Sequence, residues 1–308
     1  MGSKTLIDAA PFAAGSARTG GCADGLPDDA SVESFRQFIR ERGRELYRDL
    51  SWRNTQDPYA IWISEVMLQQ TQVARVAGRW ERFIGRFPTV DALAASSSAD
   101  VLEEWQGMGY NRRALALHKA AGICSSEYSG SLPDCEPELL ALPGIGSATA
   151  AGIMAFAYDR PSVYVETNVR AVFIHHFFPD ASGVSDKEIC ALVKRCCPAC
   201  DVRGWYYALL DYGAYLKRNH SNPARRAKAY SRQSAFEGSR RQKRAWVVRE
   251  VLACGEGISA DRLHESLCES ERRAGRPEVE REAFDSIVAD LESEGFLLCD
   301  GGMCRPAR

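Results

Sequence analysis

Residues 142–150 read Leu142-Pro143-Gly144-Ile145-Gly146-Ser147-Ala148-Thr149-Ala150, a glycine-rich turn followed at once by a helix of small residues. Such a turn exposes backbone amides at the start of a helix, and these amides can hold a phosphate oxygen without a charged side chain. An ordinary tight turn between two helices uses the same glycines. The segment therefore predicts a helix-hairpin-helix unit, which serves either phosphate binding or packing alone.

On both sides of this hairpin, apolar residues recur at helical spacing from Ser31 onward, and turn signals such as Asp57-Pro58 separate the segments. Alternation typical of strands is scarce, so the sequence predicts an all-α body. Residues 1–30 are rich in Ala, Gly, Ser and Asp and predict a disordered lead. Residues 31–236 form the helical body, and 237–308 form a separate module.

The C-terminal module has its own pattern. A helix over Gln242 to Leu252 precedes Ser259, which can cap a second helix, and a third helix ends at Gly295. The turn Asp300-Gly301-Gly302 then joins two short apolar segments, as in a hairpin. Three helices and a terminal hairpin predict a winged-helix-like module, which binds DNA in some proteins and only packs in others.

Charge is distributed unevenly along the chain. The 308 residues carry a net charge of −2, but Lys217 to Arg249 hold eleven basic residues and one acid. A local basic stripe suits phosphate contact, although a solvated surface has the same composition. No stretch is long and apolar enough for a membrane, and the N-terminus lacks a signal-peptide pattern. We therefore expect a cytoplasmic protein, with its eleven cysteines as free thiols.

A second informative segment runs from Pro58 to Val73 and reads Pro-Tyr-Ala-Ile-Trp-Ile-Ser-Glu-Val-Met-Leu-Gln-Gln-Thr-Gln-Val. Glu65 is its only ionisable carboxylate or base, and Trp62 and Met67 lie one turn or less away on the predicted helix. Apolar surroundings raise the pKa of a carboxyl group, as a general acid requires. The segment alone is equally consistent with an exposed helical glutamate.

Three motifs in order resemble a known family. They are the run from Ser51-Trp52-Arg53 through Gln69-Gln70-Thr71, the turn Gly107-Met108-Gly109-Tyr110 with Arg112 and Arg113, and the Leu142 hairpin. Together they resemble the helix-hairpin-helix (HhH-GPD) DNA glycosylase superfamily, and within it the MutY-type adenine glycosylases, from Ser31 to Phe236. The resemblance implies a two-lobed helical fold and an enzyme that flips a base out of duplex DNA.

The resemblance also implies roles for individual residues. Glu65 would protonate the purine ring and help to activate water, while Glu166, with Asn168 beside it, stands where the family has an aspartate that stabilises the cationic sugar. A salt bridge from Glu166 to Arg170 is the structural alternative. The implied DNA contacts are Gln69 and Gln70 as wedges, Tyr110 as a stacking ring, Arg112, and the hairpin residues Leu142, Gly144, Gly146, Ser147 and Thr149. A monovalent cation accompanies this hairpin in the family.

The chain departs from the family pattern in several places. Ala148 stands where bifunctional members carry a lysine, so we expect hydrolysis by water and no strand cleavage. Gly213-Ala214 is followed by Lys217, with no cysteine until Cys254, so we expect no iron-sulfur cluster. Cys190, Cys196, Cys197 and Cys200 are close in sequence, and a metal site there is the alternative to core thiols.

We therefore expect a monomeric, monofunctional glycosylase that acts on double-stranded DNA of the nucleoid in base excision repair and removes adenine from mispairs with guanine or 8-oxoguanine. The tail is too short for the domain with which MutY enzymes recognise oxidised guanine. Thymine, uracil or 5-hydroxymethyluracil opposite guanine is therefore the alternative substrate. A non-catalytic winged-helix DNA-binding protein is the alternative from another functional class.

Overall fold

The computed structural model describes residues 26–231 and 235–307, so most of the predicted disordered lead lies outside the described residues. The chain divides into two compact units. Unit 1 draws on residues 1–65, 134–141 and 145–232, and unit 2 on residues 66–133, 142–144 and 233–308. Within the described segments, no helix combines the length and apolarity that crossing a membrane requires.

Unit 1 is helical throughout its regular structure. Its helices are α1 (Asp29–Leu46), most of α2 (Pro58–Leu68), α8 (Glu136–Ala141), α9 (Ser147–Phe156), α10 (Thr167–Phe177), α11 (Asp186–Cys196) and α12 (Val202–Asn219). Helix α12 packs against both α1 and α10. At the first contact a Cβ on Gly43 would lie 2.4 Å from the Cβ of Ala208, so glycine allows the two helices to approach closely. Phe35, Phe173 and Trp205 fill the core between these helices.

Helix α1 begins earlier than the sequence suggested. The carboxylate of Asp28 accepts a 2.8 Å hydrogen bond from the amide of Ser31 and so caps the helix, which starts at Asp29. Leu26 already packs against the core. The prediction of a disordered lead through residue 30 is therefore wrong for residues 26–30, because a cap and an apolar contact fix them.

A buried ion cluster ties the segment before α2 to α12. The fully buried side chain of Asp211 accepts hydrogen bonds from Nη1 and Nη2 of Arg53 at 2.8 and 2.9 Å. It also accepts one from Nε of Arg48 at 2.5 Å. The guanidinium of Arg53 lies over the ring of Tyr207, 4.3 Å from its centroid. One carboxylate therefore compensates two arginines in a largely desolvated position.

Unit 2 contains short helices and the C-terminal module. The helices before the module are α3 (Val73–Val76), α4 (Arg79–Arg86), α5 (Val90–Ala94), α6 (Ser98–Glu104) and α7 (Arg112–Glu127). Their core includes Phe83 and Trp105, whose rings meet edge to face at 5.9 Å. Helix α7 packs against both α5 and α6, so its first residues are held in place by this core.

The C-terminal module has winged-helix topology. Its elements are α13 (Arg240–Ala253), β1 (Ile258–Ser259), α14 (Ala260–Arg273), α15 (Arg281–Ser293), β2 (Leu297–Asp300) and β3 (Met303–Pro306). The strands form an antiparallel sheet in the order β1-β3-β2. The predicted helices and hairpin are confirmed, and Ser259 caps α14 by accepting from the amide of Arg262. Strand β1 was not predicted, because two residues show no periodicity.

One cysteine pair contradicts the expectation of free thiols. Cys299 and Cys304 face each other across β2 and β3 and form a disulfide. The prediction failed because it was based on the number of cysteines in the whole chain. The β2–β3 hairpin places two cysteines that are five positions apart opposite each other. The other described cysteines are free.

Candidate active site

Glu65 lies near the end of α2, a helix that is buried along most of its length. The helix starts at Pro58, where Asp57 accepts the amide of Tyr59 at 3.0 Å. Trp62 and Met67 are completely buried, while Glu65 itself is half-buried. The alternative of an exposed surface glutamate is therefore wrong.

The Glu65 carboxylate fits against the backbone of α9. A Cβ on Gly152 would lie only 2.3 Å from Oε2 of Glu65 and 3.0 Å from Cε2 of Tyr164. The hydroxyl of Tyr164 donates a hydrogen bond to Glu65. Tyr164 is buried and meets the ring of Phe156 edge to face at 5.3 Å. A glycine and a fixed tyrosine thus define where the carboxylate sits.

The pKa of Glu65 is raised to about 8, chiefly because burial disfavours the charged form. The hydrogen bond from Tyr164 lowers that pKa, and the charge of Glu166 raises it. Glu65 therefore carries a proton at neutral pH. A protonated carboxylic acid with one fixed hydrogen-bond donor beside it can donate its proton to a substrate.

Glu166 is the N-cap of α10. Its Oε1 accepts the amides of Asn168 at 2.5 Å and Val169 at 3.1 Å. Burial raises the pKa of Glu166, while these two amides and the charge of Lys217 lower it. The pKa of Glu166 is raised overall, because burial outweighs these amides, which favour the ionised form. Glu65, whose pKa is raised to about 8, is the candidate proton donor of the pair. Arg170 pairs with Asp186 at 3.1 Å, so the alternative of a Glu166–Arg170 salt bridge is wrong.

Asn168 is held by the crossing of α10 and α12. A Cβ on Gly213 would lie 2.2 Å from the backbone oxygen of Asn168, so this glycine sets the spacing of the two helices. Lys217 follows one turn later on α12, and its charge acts on Glu166. Glu65, Glu166 and Asn168 all belong to unit 1, and the two carboxyls are close enough for their charges to interact.

The predicted hairpin follows α8 and leads into α9. Gly144 has φ of +79°, and a Cβ there would lie 2.8 Å from the Cβ of Ala116. Gly146 is the extended N-cap of α9, and Ser147 is exposed at the first helical position. Leu142 and Thr149 are buried. The hairpin therefore offers backbone amides at a helix N-terminus, and Leu142 and Thr149 serve mainly to pack it.

The turn Gln69-Gln70-Thr71 and the turn Gly107-Met108-Gly109-Tyr110 both lie in unit 2. The side chain of Arg113 joins them. Gln70 is exposed and has φ of +50° in the turn after α2. The guanidinium of Arg113 donates from Nη1 to the carbonyls of Val66 at 2.7 Å, Met67 at 3.0 Å and Gln69 at 2.6 Å, and from Nη2 to Oγ1 of Thr71 at 3.0 Å and the carbonyl of Gly109 at 3.1 Å. Arg113 therefore satisfies the last carbonyls of α2 and connects them to the next turn.

Tyr110 stands at the tip of that next turn. It has φ of +50°, follows Gly107 and Gly109 in the same left-handed region, and is 38% exposed. The side chain of its neighbour Arg112 is largely exposed, and its Nε donates a 2.7 Å hydrogen bond to Glu294, the C-cap of α15. The structure thus brings the glutamine turn and the tyrosine turn together, and it pairs Arg112 with the C-terminal module.

Several residues of the site were not singled out from the sequence. Gly152, Tyr164 and Tyr207 escaped notice because a glycine in a small-residue helix and tyrosines in apolar segments look like ordinary packing. Tyr207 stacks on Phe156 at 4.7 Å, and the charge of Glu65 contributes to raising the pKa of Tyr207. Together with Arg53, these two rings line a cavity of about 420 Å³, a volume typical of small-molecule sites.

The cysteines between 190 and 200 do not converge. Cys196 is buried, which raises the pKa of its thiol to about 12, while Cys200 is exposed. Across residues 26–231 and 235–307, no group of three or more His, Cys, Asp or Glu side chains is placed to hold a metal ion.

Two solved structures share the fold of this chain. The described helices share the fold of a thermostable thymine-DNA glycosylase, with a TM-score of 0.53 and 24% sequence identity over 59% of this chain and 86% of that one. A non-covalent endonuclease III–DNA complex gives a TM-score of 0.50 at 21% identity, covering 66% of this chain and 90% of that one. The fold is therefore the mostly helical helix-hairpin-helix glycosylase fold, here with a small C-terminal sheet.

Sequence similarity covers a smaller part of the chain than these structural matches, at higher identity. Residues 63–199 match the family model of the HhH-GPD superfamily base excision DNA repair proteins. The adenine DNA glycosylase of Mycolicibacterium smegmatis is 46% identical over 170 residues, which cover 54% of this chain and 58% of that protein. The adenine DNA glycosylase of Buchnera aphidicola subsp. Baizongia pistaciae is 34% identical over 170 residues, 55% of this chain and 48% of that protein. The chain thus spans about half the length of these relatives.

Proposed function

We propose that this protein is a monofunctional DNA glycosylase of base excision repair that removes adenine from mispairs in double-stranded DNA. The observation that carries the proposal is the pairing of Glu65, whose pKa is raised to about 8, with Glu166, whose carboxyl accepts two amides at the start of α10 that favour its ionised form. An acid and an anion in one site are what the cleavage of a glycosidic bond requires.

In this mechanism Glu65 donates its proton to a ring nitrogen of the flipped base. Protonation makes the base a neutral leaving group, so the bond from C1′ to the base nitrogen breaks and its electron pair goes to the base. The sugar becomes an oxocarbenium-like cation, which Glu166 stabilises. The Glu65 carboxylate then accepts a proton from the attacking water, whose oxygen bonds to C1′.

Hydrolysis by water is favoured over an enzyme amine because Ala148 offers no nucleophile at the start of α9. Lys217 acts on Glu166 through its charge. Its primary role is therefore electrostatic, and a borohydride trapping assay separates this role from covalent catalysis.

The enzyme is proposed to work as a monomer without an iron-sulfur cluster. Such a cluster needs four thiolates, and residues 201–253 contain no cysteine. The segment after α12 is instead anchored by Arg226, which donates to the carbonyls of Phe178 at 2.6 Å and Ile174 at 3.3 Å. Backbone carbonyl oxygens of the hairpin would hold a monovalent cation, as the family resemblance implies.

Adenine is favoured as the target because the relatives with 46% and 34% identity are adenine DNA glycosylases. The thymine-DNA glycosylase shares the fold at only 24% identity, which gives no preference for a pyrimidine.

The test is a panel of duplexes containing adenine, thymine or uracil opposite guanine, and adenine opposite 8-oxoguanine. Each is incubated with the protein and then treated with alkali to reveal abasic sites. Excision of adenine alone supports the proposal, and excision of thymine or uracil redirects it to a pyrimidine substrate. No excision on any duplex overturns it, and strand cleavage before alkali contradicts the monofunctional mechanism.

A further inference from the structure

A cluster of arginines joins the C-terminal module to the start of α7. Glu294, the C-cap of α15, accepts hydrogen bonds from Nε of Arg112 at 2.7 Å and Nη2 of Arg244 at 2.5 Å. Asp290, one turn earlier on α15, accepts from Nη2 of Arg240 at 2.7 Å. We call Arg112, Arg240, Arg241 and Arg244 the arginine cluster. Three of these arginines, Arg112, Arg240 and Arg244, contact the two carboxylates, so the cluster has more cations than anions.

Arg241 connects this cluster to the tyrosine turn. Its Nη1 lies 3.5 Å from the hydroxyl of Tyr110, and both residues belong to unit 2. Tyr110 is exposed at the tip of a turn in which three residues have positive φ. A strained, exposed aromatic tip beside a guanidinium is an arrangement suited to nucleic acid, because the ring can stack on a base while the cation meets the backbone.

The position of these arginines on α13 is unfavourable for the helix itself. The first five residues of α13 include Arg240, Arg241, Lys243 and Arg244, and its first turn contains no acidic residue. The N-terminus of a helix carries partial positive charge, so acidic side chains stabilise it and basic ones do not. An anion bound at this end would offset both the dipole and the excess of arginines. Arg240 and Arg244 pair with Asp290 and Glu294, whereas Arg241 lies beside Tyr110, so the pattern indicates a binding role for Arg241.

We propose that α13 is part of the DNA-contacting surface, with Arg241 binding a backbone phosphate of the duplex next to the Tyr110 turn. This inference rests on the proposed function, because it takes duplex DNA as the ligand. It assigns the winged-helix module a contact through the N-terminus of its first helix. The module carries fourteen acids from Glu250 onward, of which Asp290 and Glu294 pair with arginines of the cluster.

The test measures duplex affinity by fluorescence anisotropy across a salt series, in a Glu65→Gln background that binds without cleaving. Arg241→Ala should weaken binding about three- to tenfold and reduce the salt slope by about one, because one phosphate contact is lost. Arg241→Lys keeps a cation and should recover most of the slope. Arg249→Ala is the matched control, because Arg249 is exposed on the same helix and pairs with Glu250 at 3.3 Å.

The outcomes separate this inference from the proposed function. If the Glu65→Gln protein binds the duplex but Arg241→Ala and Arg249→Ala show the same affinity and slope, the inference is wrong and the function stands. If the parent protein binds no duplex at all, the proposed function fails as well. The melting temperature of each variant must match that of the parent, since an unfolded module would also lower affinity. If Arg241→Ala melts at a lower temperature, Arg241→Lys decides the result in its place.

Discussion

Nη1 of Arg113 lies 2.6 Å from the backbone carbonyl oxygen of Gln69, and Nη2 of the same guanidinium lies 3.1 Å from that of Gly109. One side chain thus ties the end of α2 to the turn that carries Tyr110. Burial lowers the pKa of Arg113 to about 10, so it remains charged at neutral pH. Arg113 therefore fixes the glutamine turn and the Tyr110 turn next to each other, and these turns carry the residues proposed to fill the gap left by a flipped base.

Arg113→Ala should disrupt base flipping more than DNA binding. The change leaves several carbonyls at the end of α2 without a donor, which should cost about 2–4 kcal/mol of the free energy of unfolding. Fluorescence of 2-aminopurine placed opposite guanine reports flipping, and anisotropy reports binding. Arg86→Ala, which removes an exposed arginine paired with Asp100, is the control. Equal flipping by the two variants would show that Arg113 does not position the turns.

Gly152→Ala should abolish excision while leaving duplex binding nearly unchanged. The added methyl group would occupy space 2.3 Å from Oε2 of Glu65, so the carboxyl must leave its place beside Tyr164. Single-turnover excision rates should fall at least about a hundredfold, as expected for a misplaced general acid. Gly122→Ala is the control, because a Cβ there meets nothing within 4 Å. A normal rate for Gly152→Ala would mean that the carboxyl tolerates displacement.

Glu65→Gln should be more stable than the parent protein, and the difference in stability should grow as the pH rises. The pKa of Glu65 is near 4.5 in the unfolded chain and about 8 in the folded protein. Between these values the unfolded chain releases a proton that the folded protein keeps, so this residue lowers the free energy of unfolding as pH increases. Glutamine removes the effect. The variant's advantage in Tm should be small at pH 5 and reach at least about 3 °C at pH 8, and an advantage independent of pH would contradict burial as the cause.

Asp211→Ala should be the most destabilising of the changes considered. It leaves Arg53 with a buried, uncompensated charge, since the carboxylate is fully buried and accepts two hydrogen bonds from that guanidinium. Loss of one partner of a buried pair costs about 3–5 kcal/mol. Asp186→Ala, which breaks the more exposed pair with Arg170, should cost less than about 1 kcal/mol. Denaturant unfolding of both variants gives the comparison, and similar values would contradict the burial of the cluster.

Much of this site could be predicted from local sequence. The Leu142 hairpin, the cap at Ser259 and the isolation of Glu65 in an apolar helix all depend on neighbours within a few residues. The raised pKa of Glu65 followed from that isolation and is confirmed. The β2–β3 hairpin was equally visible, because its glycine turn lies between two short apolar segments.

The remainder depends on partners far apart in the chain. Tyr164 meets Glu65 across 99 positions, and Arg112 meets Glu294 across 182. No periodicity links such pairs, and a tyrosine that donates to a catalytic carboxyl has the same sequence context as one that only packs. The sequence therefore singles out Glu65 as the candidate proton donor, while the tertiary structure supplies the groups that set its pKa.

Tyr164→Phe should move the alkaline limit of excision to higher pH. The Tyr164 hydroxyl donates to Glu65 and thereby lowers the pKa of that carboxyl, against the stronger effect of burial. Without the hydroxyl, the pKa of Glu65 should rise further above about 8, so the acid form persists to higher pH. Single-turnover excision rates measured from pH 6 to 10 locate the limit in each protein. Tyr230→Phe, at an exposed tyrosine, is the control and should leave the profile unchanged. An unchanged or lowered limit for Tyr164→Phe would mean that its hydroxyl does not act on the proton of Glu65.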